Sequence, residues 1–123
     1  LGLIKKRSDF IKFMSSINLF VFPARPSYDG LPRVILEAMI QKTPVIASNT
    51  QEISEIINYN GINGVLFDVE NHVDLAKKII KGFLNQDKLK QIADNAFKMA
   101  TSISVKENIL KIQTEYQYLL SKK

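Results

Sequence analysis

Three short apolar runs, each bounded by residues that interrupt regular structure, constrain this chain more than any other feature. Asn18-Leu-Phe-Val-Phe22 stops against Pro23, Pro44-Val-Ile-Ala-Ser48 begins at a proline, and Gly64-Val-Leu-Phe67 leaves a Gly61-Ile-Asn-Gly64 turn. Unbroken runs of this length, without polar alternation, suit strands covered on both faces, as in a parallel sheet between helical layers. The segments between them carry helical patterns. Ser8 is expected to cap a helix running through Ser16, with Phe10, Ile11, Phe13 and Met14 as its apolar positions. A second helix is expected from about Pro32 to Gln41, with proline in the first turn where its missing N–H does no harm. A short third one is expected near residues 53–58. Strands alternating with helices predict right-handed crossovers and a doubly wound α/β sheet.

From residue 71 onward the period is helical throughout. Leu75, Ala76, Ile79, Ile80, Phe83 and Leu84 predict one wide apolar face, and Leu89, Ile92, Ala93, Ala96 and Phe97 a second. Ser104-Val-Lys-Glu107 has the form of a capping box opening a last helix. A length of 123 residues suffices for one α/β unit and not for two full domains. The chain opens in Leu1-Gly2-Leu3-Ile4, a strand already under way, so a piece of something longer is expected. As an unpaired sheet edge, the same stretch predicts dimerisation or aggregation.

Composition removes several function classes. Without cysteine there is no disulfide framework and no thiolate metal site, which fits a reducing cytoplasm. No apolar run is long enough for a bilayer span. The net charge of +5 belongs to the second half: residues 1–70 carry seven bases and seven acids, whereas residues 71–123 carry ten lysines, five acids and no arginine. Nucleic-acid binding calls for clustered arginine beside a recognition element, so nucleic acid is not an expected partner. Lysine-rich solvated helix faces are expected instead, with a peripheral membrane contact as the weaker alternative.

Doubly wound sheets bind ligands at the carboxyl ends of their strands, which directs attention to the loops after Phe22 and Ser48. The first of these leads into Pro26-Ser-Tyr-Asp-Gly-Leu-Pro-Arg-Val-Ile-Leu-Glu-Ala-Met39. Here Asp29 and Gly30 stand just before a helix, and Glu37 follows eight positions after Asp29. On that helix Arg33, Glu37 and Gln41 form one narrow polar stripe on an otherwise apolar cylinder. Gly30 lets backbone approach a ligand, the helix N-terminus favours a pyrophosphate, and the two carboxylates can accept from sugar and ribose hydroxyls.

This stretch, followed by Thr43-Pro-Val-Ile-Ala-Ser48, resembles the signature of glycosyltransferase family 4, enzymes of the two-Rossmann GT-B architecture. The family's Glu-x7-Glu motif falls on Asp29 and Glu37. Leu1-Gly2 through Phe22-Pro23, Glu55-Ile-Ile57 and Gly61-Ile-Asn-Gly64 resemble further landmarks, so the likeness covers almost the whole chain. It implies a partial Rossmann-like domain, the C-terminal GT-B domain, over residues 1–100: a parallel sheet with flanking helices. A helical C-terminal tail over residues 101–123 would pack on a missing N-terminal domain. It also implies a retaining transfer from a UDP- or GDP-sugar to a glycan or lipid-linked acceptor in surface polysaccharide synthesis, without a metal. Asp29 would take the catalytic place against the donor sugar and Glu37 the ribose. Gly30 and Leu31 would lie near the sugar and phosphates, and Arg33 near a phosphate or beside Glu37.

The chain departs from the family pattern at three places. Asp29 is one methylene shorter than the usual glutamate. Lys42 replaces a glycine, which predicts a weakened left-handed helix stop. Gln51-Glu52 replaces a Gly-Gly pair. The family's pyrophosphate-binding Arg and Lys and its acceptor-binding half would lie upstream of Leu1, so this chain alone is expected to be inactive. Two alternatives stand beside the transferase: a non-catalytic nucleotide-sugar-binding half-domain and a GT-B epimerase or phosphorylase. Plainer roles are also open for single residues. Glu37 could pair with Arg33 one turn earlier, Asp29 could be a turn residue, and His72 reads as a surface residue at a helix start. Asp68 and Glu70 read as structural, and Tyr116 and Tyr118 as packing residues.

Overall fold

The computed structural model describes residues 6–25, 33–57 and 61–102, together with 112–114, 117, 120 and 121. Within them the chain runs α1 (Arg7–Ser16), β1 (Phe20–Phe22), α2 (Arg33–Ile40), β2 (Val45–Ser48), α3 (Gln51–Ser54), β3 (Val65–Phe67), α4 (His72–Leu84) and α5 (Gln86–Ala100). The strands form one parallel sheet in the order β1-β2-β3. This is the α/β arrangement that the three apolar runs predict. The expected strand at residues 1–4 and the expected capping box at 104–107 lie outside the described residues; residues 112–114, 117, 120 and 121 of the expected last helix are helical.

Register and the two-residue period of strands divide the sheet into two faces. Phe20 and Phe22 lie level with Val45 and Ala47, and Ala47 lies level with Leu66. All five belong to the hydrophobic core or pack against it, together with Met14 of α1, Ile35 and Met39 of α2, and Ala96 and Ala100 of α5. Ile46, Ser48 and Phe67 are buried on the opposite face, and α4 contacts β2 and β3. Every residue of β2 is buried, as its central place between two parallel neighbours requires.

Local starts and stops differ from expectation in three places. Ser8 does not cap α1: the amide of Phe10 already donates to the carbonyl of Lys6, at 3.0 Å, so the helical ladder starts two residues earlier and Ser8 lies within the first turn. α3 begins at Gln51, ahead of the expected position, because the buried Thr50 caps it through Oγ1, which accepts from the amide of Ile53 at 3.2 Å. The helix stop after α2 is intact despite lacking glycine. Lys42 adopts the left-handed conformation itself, with φ of 56°. The amide of Thr43 donates to the carbonyl of Ala38 (2.9 Å) and that of Lys42 to Met39 (3.1 Å), which is the paired bonding of a Schellman motif.

The wide apolar face expected of α4 is divided. Leu75 and Ile79 are half-buried, while Ala76, Ile80, Phe83 and Leu84 are exposed, and no residue of this helix is fully buried. The sheet has room for only part of the face, and the helix's remaining apolar positions turn outward. α5 follows expectation, with Leu89, Ile92, Ala93 and Ala96 buried; Phe97 is half-buried. Among the described residues no helix is long and apolar enough to cross a membrane.

Candidate functional site

All three strands are parallel, so their carboxyl ends share one edge of the sheet. A helix that follows such a strand starts at that edge, and one that leads into the next strand ends at the other. The N-termini of α1 and α2 therefore lie on the carboxyl side, where ligands bind in sheets of this kind.

The loop leaving β1 is fastened to the end of β2. Ser48, almost wholly buried, accepts from the amide of Ala24 through Oγ at 2.7 Å. This bond fixes Ala24, two positions ahead of residues 26–32, the segment that holds Asp29, Gly30 and Leu31. Those three expected site residues lie outside the described residues. Beside the latch is a mainly apolar cleft of about 190 Å³, lined by Pro23, Ala24, Ser48, Phe67 and the start of α4. At its mouth Arg25 meets Glu70 at 2.9 Å. Both side chains are largely in solvent, so the pair contributes little.

Near Asp68 and Glu70, side chains of α4 and its cap bind the backbone. The amide of Asp68 donates to Asp74 Oδ2 at 2.8 Å, and Asn71 Oδ1 accepts from the amide of Asp74 at 2.9 Å, closing the first turn of α4. His72, the first residue of that helix, is exposed. Among the described residues no group of three or more His, Cys, Asp or Glu side chains could hold a metal ion.

The second expected acid is well placed. Ile35, Leu36, Ala38 and Met39 of α2 are buried, Arg33 is exposed, and Glu37 and Gln41 are half-buried. The narrow polar stripe is therefore real, and Glu37 is its middle member. The ion pair that Glu37 makes is with Arg7, thirty residues earlier in the chain, where the sequence suggested Arg33. Arg7 Nη1 donates to Glu37 Oε1 at 2.6 Å, with the side chains 31% and 21% exposed respectively. The length is that of a charge-assisted bond. The Arg7 guanidinium also lies 5.7 Å from the centre of the Phe10 ring, one turn further along α1. Neither Arg7 nor Ser48 was singled out from sequence as a site residue. Arg7 had no motif around it, and Ser48 reads as the last position of an apolar run.

Together these features define an α/β unit with a carboxylate and a latched loop on the ligand-binding edge of a parallel sheet. A family model described as "Glycosyl transferases group 1" matches residues 1–99, and the chain belongs to that family. It is 27% identical over 115 residues to an uncharacterized glycosyltransferase of Methanocaldococcus jannaschii, covering 94% of this chain and 32% of that protein. It is 34% identical over 90 residues to the capsular polysaccharide biosynthesis glycosyltransferase CapM of Staphylococcus aureus, covering 72% of this chain and 22% of CapM. Among solved structures, HepE of Anabaena in complex with UDP superposes with a TM-score of 0.73 at 25% identity, over 89% of this chain and 30% of that one. HepE has also been solved with UDP-glucose. The chain thus spans a third or less of the length of these relatives.

Proposed function

We propose that this chain forms part of the donor site of a retaining glycosyltransferase. The donor is a UDP- or GDP-sugar and the acceptor a glycan or lipid-linked saccharide in surface polysaccharide synthesis. The observation that carries the proposal is Glu37: a carboxylate on the polar stripe of an otherwise buried helix, held at the ligand-binding edge of the sheet. Family membership supports the reaction class. The complexes of HepE with UDP and UDP-glucose support the donor class, and the name of CapM supports the biosynthetic setting.

In this reading Glu37 accepts from the ribose hydroxyls and Asp29 from hydroxyls of the donor sugar. The backbone at Gly30 and Leu31 approaches the sugar and phosphates, and Arg33 lies near a phosphate. No metal takes part. The bond from the sugar's anomeric carbon to the phosphate oxygen breaks, a bond to an acceptor hydroxyl oxygen forms, and the hydroxyl proton and nucleoside diphosphate leave. Groups that stabilise charge on the leaving diphosphate are a large part of such catalysis. The protein works in the cytoplasm, at the membrane surface where a lipid-linked acceptor is presented.

The test is donor binding by the intact protein, with UDP-sugars and GDP-sugars titrated calorimetrically. Glu37→Ala is expected to weaken binding about tenfold, the equivalent of one charge-assisted hydrogen bond of ~1.4 kcal/mol. Unchanged affinity in that variant would remove Glu37 from the donor site.

A further inference from the structure

We infer that Arg7 is a positioning residue for the donor site: it orients the Glu37 carboxylate toward the ribose without touching the nucleotide itself. The inference rests on the donor reading of Glu37 given above. A glutamate side chain has three rotatable bonds, and a carboxylate free to turn must be ordered each time a diol binds it. Here one oxygen, Oε1, is already engaged by Arg7 Nη1 at 2.6 Å. That bond holds one carboxylate oxygen in place and leaves Oε2 to accept from a ligand.

Arg7 is itself held. Its guanidinium lies 5.7 Å from the centre of the Phe10 ring, and Phe10 packs against the hydrophobic core. A planar cation set against a ring and donating to a carboxylate is a pre-organised contact, of a kind that lysine reproduces poorly. Both side chains remain partly open to solvent, so the pair is accessible to a ligand. Arg7 is the first helical residue of α1 and Glu37 is in the second turn of α2. The topology brings both to the carboxyl edge. A surface pair between two flexible side chains would add little to stability. The geometry here instead determines where one carboxylate oxygen points.

Four protein forms and two kinds of nucleotide separate the possibilities. In the intact protein, UDP and GDP are titrated into wild type, Arg7→Ala, Glu37→Ala and the double variant, and the nucleotide that binds wild type is then compared with its 2′,3′-dideoxy analogue. Arg7→Ala is expected to weaken binding of the ribose nucleotide about 3- to 10-fold. The loss should vanish in the Glu37→Ala background, and Arg7→Ala should bind the dideoxy analogue as well as wild type does. A loss of equal size with the dideoxy analogue would mean that Arg7 contacts base or phosphate directly, overturning the inference. An Arg7→Ala variant that binds normally while Glu37→Ala does not would also overturn it, with the donor reading intact. If Glu37→Ala binds as well as wild type, or neither nucleotide binds wild type, the donor reading itself fails. Arg7→Lys keeps the charge without the planar fork and should give an intermediate loss. It serves as the readout if Arg7→Ala unfolds.

Discussion

The stop of α2 gives a test in which two substitutions at one position should fall in the reverse of their usual order. Lys42 has a φ of 56°, in the left-handed region, and its ammonium lies 4.8 Å from the centre of the Phe97 ring. Replacing Lys42 with alanine removes the cation from the ring, at a cost of about 0.5–1 kcal/mol for an exposed contact, but keeps a Cβ in the left-handed conformation. Replacing it with glycine loses the same contact and relieves the backbone by about 1–2 kcal/mol. Glycine's greater freedom in the unfolded chain returns about 0.5–1 kcal/mol of that gain. The glycine variant should therefore be more stable than the alanine variant by about 0.5–1 kcal/mol and close to wild type. Within a helix the order is the opposite.

Urea unfolding followed by far-UV circular dichroism reads the comparison directly. Midpoints at a common slope convert to free-energy differences. An alanine variant as stable as the glycine variant would show that the left-handed turn carries no strain, and the Schellman account of the α2 exit would be wrong. The result also bears on Glu37, because that exit fixes how α2 leaves the core one and a half turns beyond the carboxylate.

Two further substitutions test the loop latch and the packing behind β3. Ser48→Ala leaves the amide of Ala24 without its 2.7 Å partner, so thermal unfolding should show a loss of about 1–3 kcal/mol, and donor affinity measured by calorimetry should fall with it. Wild-type values for both would show that the loop after β1 does not depend on the latch. Gly64→Ala places a Cβ 3.0 Å from Cγ2 of Ile57, which is fully buried and has little room to give. The expected cost is about 1–3 kcal/mol, shrinking in an Ile57→Ala background; an equal cost in both backgrounds would point away from this contact.

Much of the fold was legible because its signals are local. Proline and glycine bound each of the three strands, and unbroken apolar runs are what parallel strands between helices require. Glu37 was legible for the same reason: a polar stripe on a buried helix is a pattern of one segment. The Arg7 contact was not, since nothing in a sequence shows which of two distant charged residues will face each other across thirty positions. Lys42 misled because glycine preference is energetic and does not forbid other residues. Surrounding contacts, here two backbone bonds and an aromatic ring, can hold a lysine in the same conformation. The outer part of α4 misled because periodicity identifies apolar positions and leaves open how many of them a neighbouring surface can cover.

The two polar contacts between α1 and the α2 region have more meaning together than singly. Near its end, α1 is joined through the carbonyl of Met14, which accepts from the buried Thr43 hydroxyl at 2.7 Å, immediately after the α2 stop. At its start it is joined through Arg7 and Glu37. Seven residues separate the two points along α1, about 10 Å of helix. One contact would leave the helix free to pivot, and the apolar packing between them tolerates small shifts in register. Two contacts at that separation fix both the position and the rotation of α1 relative to α2. The buried one is shielded from solvent and supplies the anchor. The half-exposed one at the carboxyl edge then has a defined place, and with it the carboxylate that Arg7 holds.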